Sequence, residues 1–272
     1  MDAPSPRDLV LDLLNAAAPS PVRVATLVDA ARIFGHSENV LRVTLTRLRA
    51  RAMVEAPGRG RYVVGPRAVG LSERVRAWRR PDDEALVPWD GETWWALAGD
   101  PADGPAATAL RVLGLRALRE GLAVRPANLA AGLVEVRRTL RRSGLDAPTF
   151  ALFDLEPAVR ARAERLWDVD ALCRGHAALA ARLDASLARL EATSGDDEDA
   201  LRESFVLGGE AIRALVLDPD LPERLCPGGP RRRLRRVALR YDEQGRRLWS
   251  ERLELPLDND APVGAMEMRS WA

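Results

Sequence analysis

The 272-residue chain contains no lysine; all 41 of its basic side chains are arginine. A coding bias towards arginine and alanine accounts for that, so an arginine at any one place is not in itself a sign of guanidinium chemistry. Cysteine is nearly absent too. Cys173 and Cys226 are too few for a disulfide framework and have no metal-ligand spacing, so free thiols and cytoplasmic residence are expected. Histidine occurs twice, as His36 in a turn and His176 on a helix, which excludes a histidine metal set. No glycine-rich phosphate loop or nucleophile elbow is present, and no metal or cofactor is expected. The balance is against an enzyme; the remaining catalytic alternative is a metal-dependent nuclease built on Asp100 and Asp103. No run of 18 apolar residues occurs, which argues against a membrane-spanning helix. The first residues, MDAPSPRDLVLDLL, carry Asp2, Asp8 and Asp12 where a secretory signal needs a basic end and an unbroken apolar stretch.

What is present is a globular composition, 47% apolar and 30% charged, with an uneven charge distribution beneath a net charge of +1. Residues 1–80 hold 14 Arg against 7 Asp and Glu, and the remainder holds 27 against 33. A basic N-terminal segment on a mildly acidic body points to a polyanion-binding module joined to a second function.

Ser5-Pro6 opens a helix that Pro19 and Pro21 stop, with Leu9 and Leu13 on its apolar stripe. A second helix, near 24–34, ends at Gly35, and Ser37 caps a third over about 38–52. Two short helices joined by a tight glycine turn make a helix-turn-helix. On the third helix Leu41, Leu45, Leu48 and Ala52 share one face. Asn39, Arg42, Thr46 and Arg49 lie opposite, with Val43 and Arg47 towards the edge, a set of donors suited to base edges in a major groove. Two short strands follow, around Met53-Val54 and Tyr62–Val64, joined through Gly58-Arg59-Gly60. A basic hairpin after a helix-turn-helix reads as a wing whose Arg59 and Arg61 meet backbone phosphate. Ser37, Asn39, Arg42, Val43, Thr46, Arg47, Arg49, Arg59 and Arg61 are therefore the candidate DNA-binding residues. The alternative is a winged-helix scaffold that binds protein and not DNA.

LSERVRAWRR at 71–80 reads as a basic connecting helix and PDDEALVP as an acidic linker. ETWWALAG, LAVRP and TFALFDL read as strands, alternating with helices over GPAATALRVLGLRALREG and AAGLVEVRRTLRRSG, an order that suits a ferredoxin-like layer. Trp94 and Trp95 are neighbours in the first of these strands and so point to opposite faces, one to the core and the other towards an interface or ligand. From Glu156 the sequence reads helical. RRRLRRVALRYDEQGRRLW is either a helix or a hairpin turning at Gln244-Gly245, with helix favoured. Its arginines at 231, 232, 233, 235 and 236 form either a solvated helix start or a site for effector phosphates. The fold class is α+β, predominantly helical. A winged helix-turn-helix covers 1–70, a connecting helix and linker 71–88, a ferredoxin-like domain 89–155 and a helical domain 156–272.

SENVLRVTLTRLRARAMVE followed by GRGRY resembles the recognition helix and wing of the PaaX-like regulators, the family of the phenylacetate-degradation repressor. Ser37, Glu38, Arg42, Thr46, Arg47 and Leu48 stand at that family's pattern positions. WDGETWWALAG, LWDVD at 166–170 and LDPDLPERLCPGG at 217–229 follow in the family's order, so the resemblance spans about residues 8–250. It departs at Cys226-Pro227-Gly228, where the family usually has Trp-Pro-Gly, and at Ala52-Met53, often Gly-Trp; the tail after 254 has no counterpart. The resemblance implies a homodimeric repressor of catabolic genes that binds double-stranded operator DNA and is released by a CoA-thioester effector.

Overall fold

The computed structural model describes residues 3–66, 68, 77–99 and 104–253. The chain is a mixed α+β protein, mostly helical, with two small antiparallel sheets. It divides into two compact units. Among the described residues, the first takes those up to Arg79, Leu179–Ala214 and those from Arg235 on; the second takes Arg80–Ala178 and Leu215–Leu234. Most of the connecting helix expected at 71–80, the residues Asp100 and Asp103, and the tail after 254 lie outside the described residues.

The first unit begins with α1 (Pro6–Ala17), β1 (Val22–Arg23), α2 (Val24–Ile33), α3 (Glu38–Ala50), β2 (Val54–Gly58) and β3 (Arg61–Val64). Ser5 caps α1 by accepting from the Asp8 amide at 3.2 Å, and Pro6 occupies the first turn, where no amide donor is needed. Gly35, at φ +76°, closes α2 and lets the chain re-enter α3 behind the Ser37 cap. The three strands pair in the order β1-β3-β2. β1 is too short to announce itself in the sequence and exists only as the partner of Arg61-Tyr62. At the end of α3, Ala52 adopts φ +54°, a conformation that favours glycine and that costs a residue with a Cβ about 1–2 kcal/mol.

The same unit takes residues from α8 (Val169–Leu190), α9 (Glu198–Val216) and α10 (Gly229–Leu253). The arginine-rich stretch from 231 is thus one continuous helix and no hairpin. Phe34, at the end of α2, packs on Phe205 of α9 and Trp249 of α10, with ring centroids 5.3 and 6.1 Å away. Aromatic burial of this kind fixes the short N-terminal helices against long ones that supply the area they lack. Trp78 and Arg79 lie in a 3₁₀ turn held to α10: Arg235 donates to the Trp78 carbonyl at 3.0 Å, and Arg79 pairs with buried Asp242.

The second unit opens on α4 (Asp82–Ala85), then runs β4 (Trp94–Ala98), α5 (Gly104–Val112), β5 (Arg116–Arg119), β6 (Leu122–Pro126), α6 (Gly132–Arg142) and β7 (Thr149–Leu152), followed by α7 (Pro157–Glu164). Its sheet has the order β5-β6-β4-β7, antiparallel throughout. Trp95 and Leu97 pack with Leu113, Val136 and Leu140 from α5 and α6, while Trp94 and Ala96 face Ala163 and Trp167. The expectation of one core tryptophan is corrected here, because the sheet is covered on both faces and both indoles are buried. Two further expectations are revised. The helix read over GPAATALRVLGLRALREG stops at Val112, because Gly114 turns at φ +70° against the Pro219 carbonyl; the rest becomes β5, which pairs with β6 around Gly121. The acidic stretch PDDEALVP forms α4 and a bridge from Leu86 to Leu129 in place of an open linker.

Candidate nucleic-acid interface

α3 is built on a leucine stripe. Leu41, Leu45 and Leu48 are 0%, 2% and 2% exposed, so the position of the opposite face follows from their burial. Asn39, Arg42, Val43, Thr46, Arg47 and Arg49 are all exposed there. Asn39 and Thr46 occupy the middle of this face, with Arg42 and Arg49 on one flank and Val43 and Arg47 on the other. Ser37 accepts from the Val40 amide at 3.4 Å, which leaves its hydroxyl proton available as a donor. The Thr46 hydroxyl donates to the Arg42 carbonyl at 3.0 Å, so its remaining lone pairs point outward as acceptors.

The arginines of this face differ in their attachments. Arg42 pairs with Glu38 one turn back at 2.8 Å, and both side chains are more than two-fifths exposed. Such a solvated pair is worth at most about 1 kcal/mol, so the guanidinium can exchange it for another anion. Arg47 and Arg49 form no ion pair with any described residue, and neither do Arg59 and Arg61 on the hairpin. Arg59 and Gly60 form the tip, where Gly60 turns at φ +67° and its carbonyl accepts from the Val24 amide at 2.8 Å. The tip is thereby tied to the start of α2, and Arg59 and Arg61 stay exposed beside it. His36 bonds the Pro4 carbonyl at 2.8 Å, in keeping with a turn residue.

One residue of this face was missed. Val40 is 45% exposed, close to the 42% of Val43, and the two follow one another along the helix surface. The available signal was an apolar residue off the leucine stripe. A face that sets exposed valines beside guanidinium groups is suited to methyl contact through the former and ionic contact through the latter.

The other arginine concentration is divided: Arg231 and Arg235 are buried, while Arg232, Arg233 and Arg236 are exposed. Arg231 is buried and donates to Asp82 at 2.9 Å and to Asp218 at 3.1 Å, with Asp220 at 3.7 Å. Burial by itself lowers the pKa of this guanidinium, but Asp218, Asp220 and Asp82 outweigh it and the net shift is upward. Asp218 also meets His176 at 3.2 Å, which makes that histidine an interior, partnered one. Arg232 pairs with Glu223 at 3.2 Å and holds its carboxyl below the usual range. Farther along α10, Arg240 reaches Glu191 at 3.2 Å and Arg247 reaches Glu251 at 2.7 Å and the Thr193 carbonyl at 2.8 Å. The polar cleft that these side chains line is bridged by the protein's own carboxylates.

Among the described residues, no group of three or more His, Cys, Asp or Glu is placed to hold a metal ion, and no helix is long and apolar enough to cross a membrane. No protein-family model matches the chain, and no curated protein matches it. Its structure is similar to that of the uncharacterized protein Rv0674 from Mycobacterium tuberculosis, with a TM-score of 0.54 and 24% identity over 89% of this chain and 97% of that one. The two share a fold.

Proposed function

We propose that the chain is a sequence-specific DNA-binding transcriptional regulator whose first three helices and hairpin act as a winged helix-turn-helix. In this reading α3 enters the major groove and the β2–β3 hairpin lies along the backbone beside it. Arg42, Arg49, Asn39 and Thr46 take base edges, Arg47, Arg59 and Arg61 take phosphate, and Ser37 donates at the start of the helix. Val40 and Val43 meet thymine methyl groups. The observation that carries the reading is the outer face of α3, where exposed guanidinium groups sit around an amide and a hydroxyl and no carboxylate among the described residues pairs with Arg47 or Arg49.

The resemblance to PaaX-like regulators extends the proposal. It makes the protein a homodimeric repressor on a near-palindromic operator, with a ferredoxin-like middle layer and a helical C-terminal part that serve dimerisation and a CoA-thioester effector. The β4–β7 sheet, with its two intervening helices and the order β5-β6-β4-β7, supports the ferredoxin-like element of that layout. The Val40–Val43 pair also favours the scaffold reading, since a protein-docking helix exposes such residues. Capture of genomic fragments on the full chain at moderate salt, with and without acyl-CoA mixtures, separates the two. Enrichment of a few duplexes that acyl-CoA releases supports the regulator; no enrichment over bulk DNA defeats it.

A further inference from the structure

We propose that Cys173 and Cys226 are a redox modification site that closes into an intramolecular disulfide. They are the chain's only cysteines, 53 positions apart, and the fold brings their Sγ atoms to 3.9 Å. Cys173 lies in the second turn of α8, and Cys226 in the proline-rich segment between α9 and α10. Both are half-buried, within reach of a small oxidant. The sulfurs touch at van der Waals distance, and a bond of about 2.05 Å needs only an approach of under about 2 Å. Each Sγ otherwise has the Pro227 carbonyl at 4.0 Å, so no strong partner holds the thiols apart.

Burial and then the neighbouring Cys173 push the Cys226 thiol up to about 12, so that thiol stays protonated near neutrality, and joining the two sulfurs needs an oxidant. With hydrogen peroxide, one sulfur takes an oxygen as its O–O bond breaks, giving a sulfenic acid and water. The second sulfur then displaces the hydroxyl, which leaves as a second water. In total, two thiols lose two electrons and two protons, and one peroxide is reduced to two waters. The bond fixes the segment that precedes α10 onto α8, close to the aspartates that hold Arg231. This inference is independent of DNA binding.

The test is to treat the native full chain with a small excess of hydrogen peroxide, count thiols with Ellman's reagent and map peptides without reduction. The expected result is loss of both thiols, a Cys173–Cys226 cross-linked peptide, no covalent dimer, and reversal by dithiothreitol. Closing so long a loop also raises Tm by several degrees, and the rise is absent from Cys226→Ser under the same treatment. Two thiols that remain titratable, while the same treatment oxidises the urea-unfolded chain, overturn the inference. So do links formed only between chains.

Discussion

α3 and the start of α10 look alike as strings of letters, each setting arginines around a leucine repeat, yet the structure uses them in opposite ways. On α3 the guanidinium groups stay exposed, and among the described residues their one carboxylate contact, between Arg42 and Glu38, lies in solvent. On α10 Arg231 is drawn inside by Asp82, Asp218 and Asp220, and Arg235 and Arg246, in the other unit, are each buried as well. Within the denser cluster Arg231 and Arg235 are therefore structural, while Arg232, Arg233 and Arg236 stay exposed. Arginine density alone does not separate solvent-facing guanidinium groups from structural ones; whether acids elsewhere in the chain have claimed the charge does.

The contrast can be broken most forcefully at Arg231. Arg231→Ala leaves three acids in its place and is expected to lower unfolding stability by about 3–5 kcal/mol, read by urea denaturation. A loss under about 1 kcal/mol would mean the cage is not what holds this helix start. Arg49→Ala should behave in the reverse sense. Its stability stays within about 0.5 kcal/mol of wild type, while affinity for a selected duplex falls by about 1–3 kcal/mol and preference relaxes at one base pair. Equal behaviour of the two variants in both measurements would erase the distinction.

Finer effects sharpen the description of α3. Replacing single thymines of the selected duplex by uracil removes one methyl group each; at the sites facing Val40 and Val43 the expected loss is about 0.8 kcal/mol, and Val43→Ala abolishes the difference at its own site. Uracil tolerated everywhere would remove the valines from the interface. The smallest expected change is at the hairpin. Arg59→Ala weakens all sequences alike and flattens the slope of log affinity against log salt by about 0.9, one phosphate's worth. An unaltered slope would place Arg59 away from the backbone.

Most of the N-terminal module was legible because its signals are local. Ser5-Pro6, Gly35, Ser37 and the Leu41–Leu45–Leu48 stripe each act within one or two turns, and each appears where local chemistry puts it. What escaped depends on partners far along the chain. β1 exists through its pairing with β3, and β5, whose residues read as helix in the sequence, exists through its pairing with β6. Gly114 and Gly121, bracketing that stretch, were the overlooked signal. The fate of the tryptophan pair depended on helices covering both faces of the sheet. Arg125, buried in β6 and donating to Asn128 at 2.8 Å, gave no hint beyond a charge inside an apolar strand. The aspartates around Arg231 lie 11 to 149 positions away from it, a juxtaposition that no periodicity reveals.

The most direct test compares the full chain with an Arg42→Ala/Arg49→Ala variant, titrating a selected duplex and a scrambled duplex across a salt series alongside urea denaturation. The account predicts that wild type prefers the selected duplex and that its affinity falls steeply with salt. The variant is predicted to lose the preference while unfolding at the same urea concentration. Wild type and variant binding both duplexes alike, or wild type binding neither at moderate salt, would contradict it.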